Sequence, residues 1–147
     1  MTSFDRARWP RAIPALLTPF TDSGAVDLDA HAHNLRTVRT WGGSGILIAG
    51  STGEGPYLEQ GERASLIETT RRSDPTMLLI AGVHAESLRQ ATALVDECSD
   101  ADAVLVVTPT SLVRGNTRAV EAFYVDLADR CRIPLLLYSV PSVTGYE

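Results

Sequence analysis

The chain has 147 residues, 13 basic against 18 acidic for a net charge of −5, and 44% hydrophobic residues; this describes a globular chain with one core and excludes disorder and collagen-like architecture. All 13 basic residues are arginine and they are scattered, so no basic run offers the electrostatic footprint of a nucleic-acid partner. No apolar stretch approaches the roughly 20 residues of a membrane helix, no signal-type apolar run follows the first arginines, and Cys98 and Cys131 form no CxxC pair, which leads us to expect a cytoplasmic protein with reduced thiols.

The first predicted element is a strand over residues 12–17, followed by a helix over 29–41 with Leu35 and Val38 on one face. A second strand is expected over 45–49, then a helix over 60–72 with Ala64 and Ile67 inward, then a third strand over 77–82. Leu88, Ala91, Leu94, Val95 and Cys98 recur at helical spacing, with Ser87 and Gln90 placed as a capping box. A fourth strand over 103–107 precedes a helix carrying Val120, Phe123, Leu127 and Cys131, and a fifth strand covers 134–138. These strands are continuously apolar rather than alternating, the mark of a parallel sheet covered on both faces. The expectation is an α/β chain of about four βα units plus a fifth strand, residues 1–147 forming one unit. A (β/α)8 TIM barrel needs roughly 250 residues, so such a chain accounts for its first half and one strand more. Pro141 to Glu147 follow the last strand where the next helix would be expected, which would leave an open sheet edge.

In parallel α/β folds the C-terminal ends of strands carry the sites. Gly50-Ser51-Thr52-Gly53-Glu54-Gly55 sits at such an end. Its small residues let backbone N–H groups approach an anion while two hydroxyls donate to it, although the glycines are equally consistent with a simple turn. A Walker loop is excluded, because that pattern requires a lysine and the chain has none. Tyr138, closing the fifth strand, is either a proton-relaying phenol or an aromatic cap on the core. His31, His33 and His84 show no metal-ligand spacing, which favours surface or satisfied core roles. Arg114-Gly115 reads as a solvated loop, and Asp100 with Asp102 as a loop and helix end.

Ala15-Leu16-Leu17-Thr18-Pro19-Phe20, Gly50-Ser51-Thr52-Gly53-Glu54, Leu58 with Glu62-Arg63, Ala81-Gly82, Val107-Thr108-Pro109 and Tyr138-Ser139-Val140-Pro141 with Thr144-Gly145 form an ordered set spanning the chain. Together they resemble the dihydrodipicolinate synthase and N-acetylneuraminate lyase family. The resemblance implies a (β/α)8 barrel of about twice this length and a class I aldolase or lyase that holds pyruvate or a related 2-oxo acid as a Schiff base on a lysine, with an aldehyde as second reactant. It implies no cofactor and no metal, and a homo-oligomer. Residue by residue, it implies Ser51 and Tyr138 as members of the proton relay, and Thr52 with the backbone of Gly50 and Gly53 as the seat of the 2-oxo acid carboxylate.

The chain departs from the family pattern in three places. Where the family often has a tyrosine pair after the Thr-Pro step, one member completing the relay across a subunit interface, this chain has Thr110, Ser111, Leu112 and Val113. Val143 stands where the dihydrodipicolinate synthases place an arginine, which with Tyr-Ser-Val-Pro looks nearer the 4-hydroxy-2-oxoglutarate aldolases. The Schiff-base lysine of the family belongs to a sixth strand, and without it the chain alone is expected to be inactive. The expectation is therefore the N-terminal part of such an enzyme, the alternatives being a non-catalytic half-barrel assembly or a small-carboxylate-binding module.

Overall fold

The structure of the protein, a computed structural model, describes residues 9–111 and 115–141. Leu112, Val113, Arg114, Val143, Thr144 and Gly145, which carry parts of the sequence pattern, lie outside the described residues. Four helices alternate with four strands: α1 (Leu28–Thr40), β1 (Gly45–Ile48), α2 (Glu62–Ser73), β2 (Leu78–Val83), α3 (Leu88–Glu97), β3 (Ala103–Val107), α4 (Thr117–Ala128) and β4 (Leu135–Tyr138). The strands form one parallel sheet in the order β1-β2-β3-β4. Parallel pairing requires a crossover between neighbours, and α2, α3 and α4 supply the three.

The strand expected over 12–17 is reduced to a single parallel bridge, Ala15 opposite Leu47. Leu16 N donates to Leu47 O and Leu47 N to the Pro14 carbonyl, each at 2.9 Å. Pro14 has no N–H to give back, which keeps the ladder from extending. Continuous apolarity predicted burial on both faces; β1, β2 and β3 are covered in this way, whereas Leu17 is 66% and Leu137 63% exposed. Those two residues belong to the outer segments, beside which no further strand is paired among the described residues.

Side-chain caps open α1, α3 and α4, whereas α2 follows Gly61, which offers none. Asp27 accepts from Ala30 N at 2.9 Å and opens α1, and Asn116 accepts from Ala119 N at 3.1 Å and opens α4. At α3, Ser87 accepts from Gln90 N, while Gln90 Oε1 takes the N–H of Glu86, one residue earlier than the expected box would have it. The α2 face differs from the expectation: Arg63, Leu66, Ile67 and Thr70 are buried, with Ala64 at its margin. Polar residues at inward positions weaken the apolar periodicity there.

Leu35 and Val38 of α1, Leu66 and Ile67 of α2, and Ala91 and Val95 of α3 pack into one core with β1, β2 and β3. His31 is buried between the first two helices, its Nε2 3.0 Å from Thr70 Oγ1, and burial holds its pKa below the ordinary value. This is the satisfied core role expected of it. His33 is exposed. Cys98 is buried, its thiol pushed up to about 12 by burial, and neither cysteine is in a disulfide. No helix among the described residues is long and apolar enough to cross a membrane.

Arg39 of α1 ties that helix to the turn after α2: its guanidinium pairs with Asp74, donates to Thr76 Oγ1 at 2.6 Å and reaches the Gly43 carbonyl at 3.2 Å. The hydrogen bond from Arg39 holds the Asp74 carboxyl well below the usual carboxylate range. A depressed folded-state pKa contributes stability that is present above the unfolded value and is lost as pH falls below it. We therefore expect Asp74→Asn to lower the urea midpoint of the full-length protein at pH 7, and the difference from wild type to shrink below about pH 4. Urea titrations at both pH values check this; a difference independent of pH would dissociate Asp74 from this linkage.

Candidate active site

The loop after β1 begins with a strained residue. Ala49 adopts a left-handed backbone, φ 51°, where a side chain is disfavoured. Its carbonyl oxygen is approached closely by two glycines. A Cβ on Gly55 would lie 1.8 Å from Ala49 O and one on Gly82 would lie 2.3 Å from it. Only residues without a side chain fit there. The two glycine carbonyls are in turn held by one buried cation: Arg63, 2% exposed, donates from Nε to Gly82 O at 3.1 Å and from Nη2 to Gly55 O at 3.0 Å. Glu97 of α3 lies 3.7 Å from Nη1, an ion pair too long to be a hydrogen bond, and its Oε2 has no hydrogen-bond partner among the described residues.

Beyond Ala49 the chain turns on itself, Gly53 N and Gly55 N both donating to Gly50 O and Glu54 N to Ser51 O. The N–H groups of Ser51 and Thr52 are used in none of these turn bonds. Gly50, Ser51 and Thr52 line a cavity of about 130 Å³ at the C-terminal ends of the strands, together with Gly82, His84 and Tyr138. Leu47, Leu105 and Val107 supply its apolar wall. The structure thus brings four of the five expected site residues, Gly50, Ser51, Thr52 and Tyr138, around one space. Gly53 is directed elsewhere: a Cβ there would lie 2.7 Å from Leu16 O, and its carbonyl accepts from Thr18 Oγ1 at 2.6 Å. It fastens the loop to the first segment.

Tyr138, 40% exposed, is not hydrogen-bonded to Ser51. The Ser51 hydroxyl is instead 3.2 Å from His84 Nε2. His84 is half-buried in the cavity wall, in neither of the roles expected from sequence. Burial, then the charge of Arg63, hold its pKa below the ordinary imidazole value. The position of His84 just past β2 was the available signal, since strand ends are where sites form in this topology.

Glu86, in the same loop, accepts from Thr110 N at 2.9 Å, Thr110 Oγ1 at 2.8 Å and Ser111 N at 2.8 Å, tying the loop after β2 to the loop after β3. Burial works to raise its pKa, but the hydrogen bonds from Ser111 and Thr110 outweigh it and the value falls below the ordinary carboxylate range. A second, larger groove of about 720 Å³ runs along α4 and β4 past Tyr124, Cys131, Leu135 and Leu137. The Tyr124 hydroxyl is already engaged, donating to Val106 O at 3.1 Å and lying 3.0 Å from Thr108 Oγ1. No cluster of metal-ligating side chains is present among the described residues.

The C-terminal ends of parallel strands are where (β/α)8 barrels build their sites, and this sheet and its helices form a part of such a barrel. The family model described as the dihydrodipicolinate synthetase family matches residues 9–147, and the chain belongs to that family. It is 35% identical over 147 residues to 4-hydroxy-tetrahydrodipicolinate synthase 1 of Streptomyces coelicolor, covering 98% of this chain and 48% of that protein. A solved dihydrodipicolinate synthase from Acinetobacter baumannii, chloride-inhibited and complexed with pyruvate, shares 31% identity and superposes with a TM-score of 0.85 over 91% of this chain and 47% of that one. The enzyme from Aquifex aeolicus shares 30% identity with a TM-score of 0.84, over 92% and 47%. The chain spans about half the length of the curated relatives it matches.

Arg63 should be the residue on which the loop geometry depends. We expect Arg63→Met to lower the stability of the full-length protein by about 2–4 kcal/mol, because it strands two buried carbonyls. Arg63→Lys should recover only part, since an ammonium lacks the fork that binds both at once. Urea midpoints of the three proteins check this, and a Met variant as stable as wild type would count against the clamp.

Proposed function

We propose that this chain is the N-terminal part of a Schiff-base aldolase or lyase, a carbon–carbon lyase acting on pyruvate or a related 2-oxo acid with an aldehyde as the second reactant. The observation that carries the reading is the gathering of Gly50, Ser51, Thr52 and Tyr138 around one small cavity in a chain of this family. A relative of similar fold is complexed with pyruvate, which agrees with it. The imine requires an amine, and the 147 residues contain no lysine; the reading therefore assigns that group to the remainder of a full-length protein.

The roles divide by chemistry. The N–H groups of Ser51 and Thr52, which donate to no backbone carbonyl among the described residues, and the Thr52 hydroxyl suit a carboxylate, which accepts several donors at once. Thr52 is exposed at the cavity, and its hydroxyl is bonded to no group among the described residues. With the carboxylate seated there, the 2-oxo carbon lies over the apolar wall and the Tyr138 phenol is the acid and base at the carbon that becomes the imine. Ser51 passes the proton on. A homo-oligomer in the cytoplasm is part of the same reading. The exposed edge at β4, with Leu137 63% exposed, favours as second reading a non-catalytic half-barrel that assembles through that edge.

Borohydride trapping with pyruvate on the full-length protein, read by intact mass, separates the two. We expect a pyruvate-sized adduct on a lysine outside these 147 residues; its absence would favour the assembly reading. Tyr138→Phe should lower turnover about 100-fold or more with the half-saturation for pyruvate changed no more than about threefold. Thr52→Val should instead raise that half-saturation about tenfold, the loss of one hydrogen bond to a charged group. Equal effects of both substitutions on half-saturation alone would overturn this division.

A further inference from the structure

Resting on the 2-oxo acid reading above, we propose that His84 is the positioning and proton-accepting partner of Ser51, so that the relay runs from Tyr138 through the Ser51 hydroxyl to His84 Nε2. The contact is direct, 3.2 Å between Ser51 Oγ and Nε2, and Ser51, His84 and Tyr138 all line the same 130 Å³ cavity. The other ring nitrogen, Nδ1, is buried with no hydrogen-bond partner among the described residues, so the hydrogen bonding of the ring is committed to Ser51. His31 shows the contrasting case, a ring bonded to Thr70 deep between two helices and away from any hydroxyl of the site.

The hydroxyls of Thr110 and Tyr124 are engaged elsewhere. Thr110 gives its hydroxyl and N–H to Glu86, as Ser111 gives its N–H, and Tyr124 is bound to Val106 and Thr108. Among the described residues, His84 is the titratable group hydrogen-bonded to Ser51. Among the described residues, Arg63 of α2 acts on the imidazole through its charge, Glu97 of α3 pairs with that arginine, Tyr138 of β4 lines the same cavity, and Glu86 follows in the same loop, bonded to Thr110. Arg63 and burial favour the neutral ring, which is the form whose Nε2 can accept a proton.

The step balances in protons alone. As the phenol O–H of Tyr138 breaks, its proton passes through an oxygen of the bound 2-oxo acid to Ser51 Oγ, and the proton Ser51 held passes to Nε2. A phenolate and an imidazolium result, with no change in oxidation state. The reverse transfer restores both.

The test uses the full-length protein and pyruvate alone, because exchange of the pyruvate methyl protons with D2O, followed by proton NMR, reads proton transfer without the aldehyde. His84→Gln keeps, in its Oε1, a hydrogen-bond acceptor for the Ser51 hydroxyl but cannot take up a proton. We expect it to slow the exchange about 10- to 100-fold, leave the half-saturation for pyruvate within about twofold, and abolish the loss of rate that wild type shows on acidification below the ordinary imidazole pKa of about 6.5. Independently of turnover, nitrogen NMR of labelled histidines should show the His84 resonances and their titration displaced by Ser51→Ala. Wild-type protein that neither traps pyruvate with borohydride nor exchanges its methyl protons overturns the aldolase reading and the relay together. Wild-type exchange matched by His84→Gln in rate and pH profile overturns the relay alone. His84 resonances indifferent to Ser51→Ala remove the contact on which it rests, whether or not His84→Gln folds.

Discussion

A single buried guanidinium organises the end of the sheet from which the site is built. Arg63 grips the carbonyls of Gly82 and Gly55, and both glycines close in on the Ala49 carbonyl. A left-handed alanine costs energy of order 1–3 kcal/mol and persists only where its surroundings leave no alternative. Here the alternative is blocked by backbone contact with both glycines. The return on that strain is the direction of the loop, which leaves Ala49 turned back so that Ser51 and Thr52 stand over the strand ends rather than continuing outward.

The clamp also links electrostatics to geometry. The same cation that secures the loop sits near enough to His84 to disfavour its charged form, while Glu97 partly balances the cation from α3. A guanidinium stays protonated throughout the accessible pH range, so its influence on the imidazole is permanent. Glu86 completes the frame by fastening the loops after β2 and β3 to one another through three hydrogen bonds. The loops around the cavity are thus tied by Arg63 and by Glu86, and of the side chains lining the cavity Ser51 and His84 are bonded to one another.

The sheet is complete in its middle and open at its flanks. β1, β2 and β3 are buried on both faces, whereas the first segment pairs through one bridge and β4 exposes Leu137 and Tyr138. Family members to which this chain is similar are about twice as long, and the superposition covers 47% of the Acinetobacter baumannii enzyme. In a closed barrel every strand has two neighbours, whereas among the described residues β4 is paired on one side only.

The α/β alternation, the three buried strands, the helix caps at Ser87 and the Gly50-Ser51-Thr52 loop were legible in the sequence, because period, turn chemistry and position relative to a strand end are local properties. Family membership was legible as well, through an ordered set of short motifs. The weaker edge at residues 12–17 was not, since apolar content registers there while the missing N–H of Pro14 and the absence of a second paired strand do not. The fastening of Gly53 to Thr18, a contact across 35 positions, was not legible either. Arg63 read as a motif residue and His84 as a bystander. Only the tertiary structure decided otherwise, because what makes one a clamp and the other a site residue is a set of distances between α2, β2 and the β1 loop that no local pattern encodes.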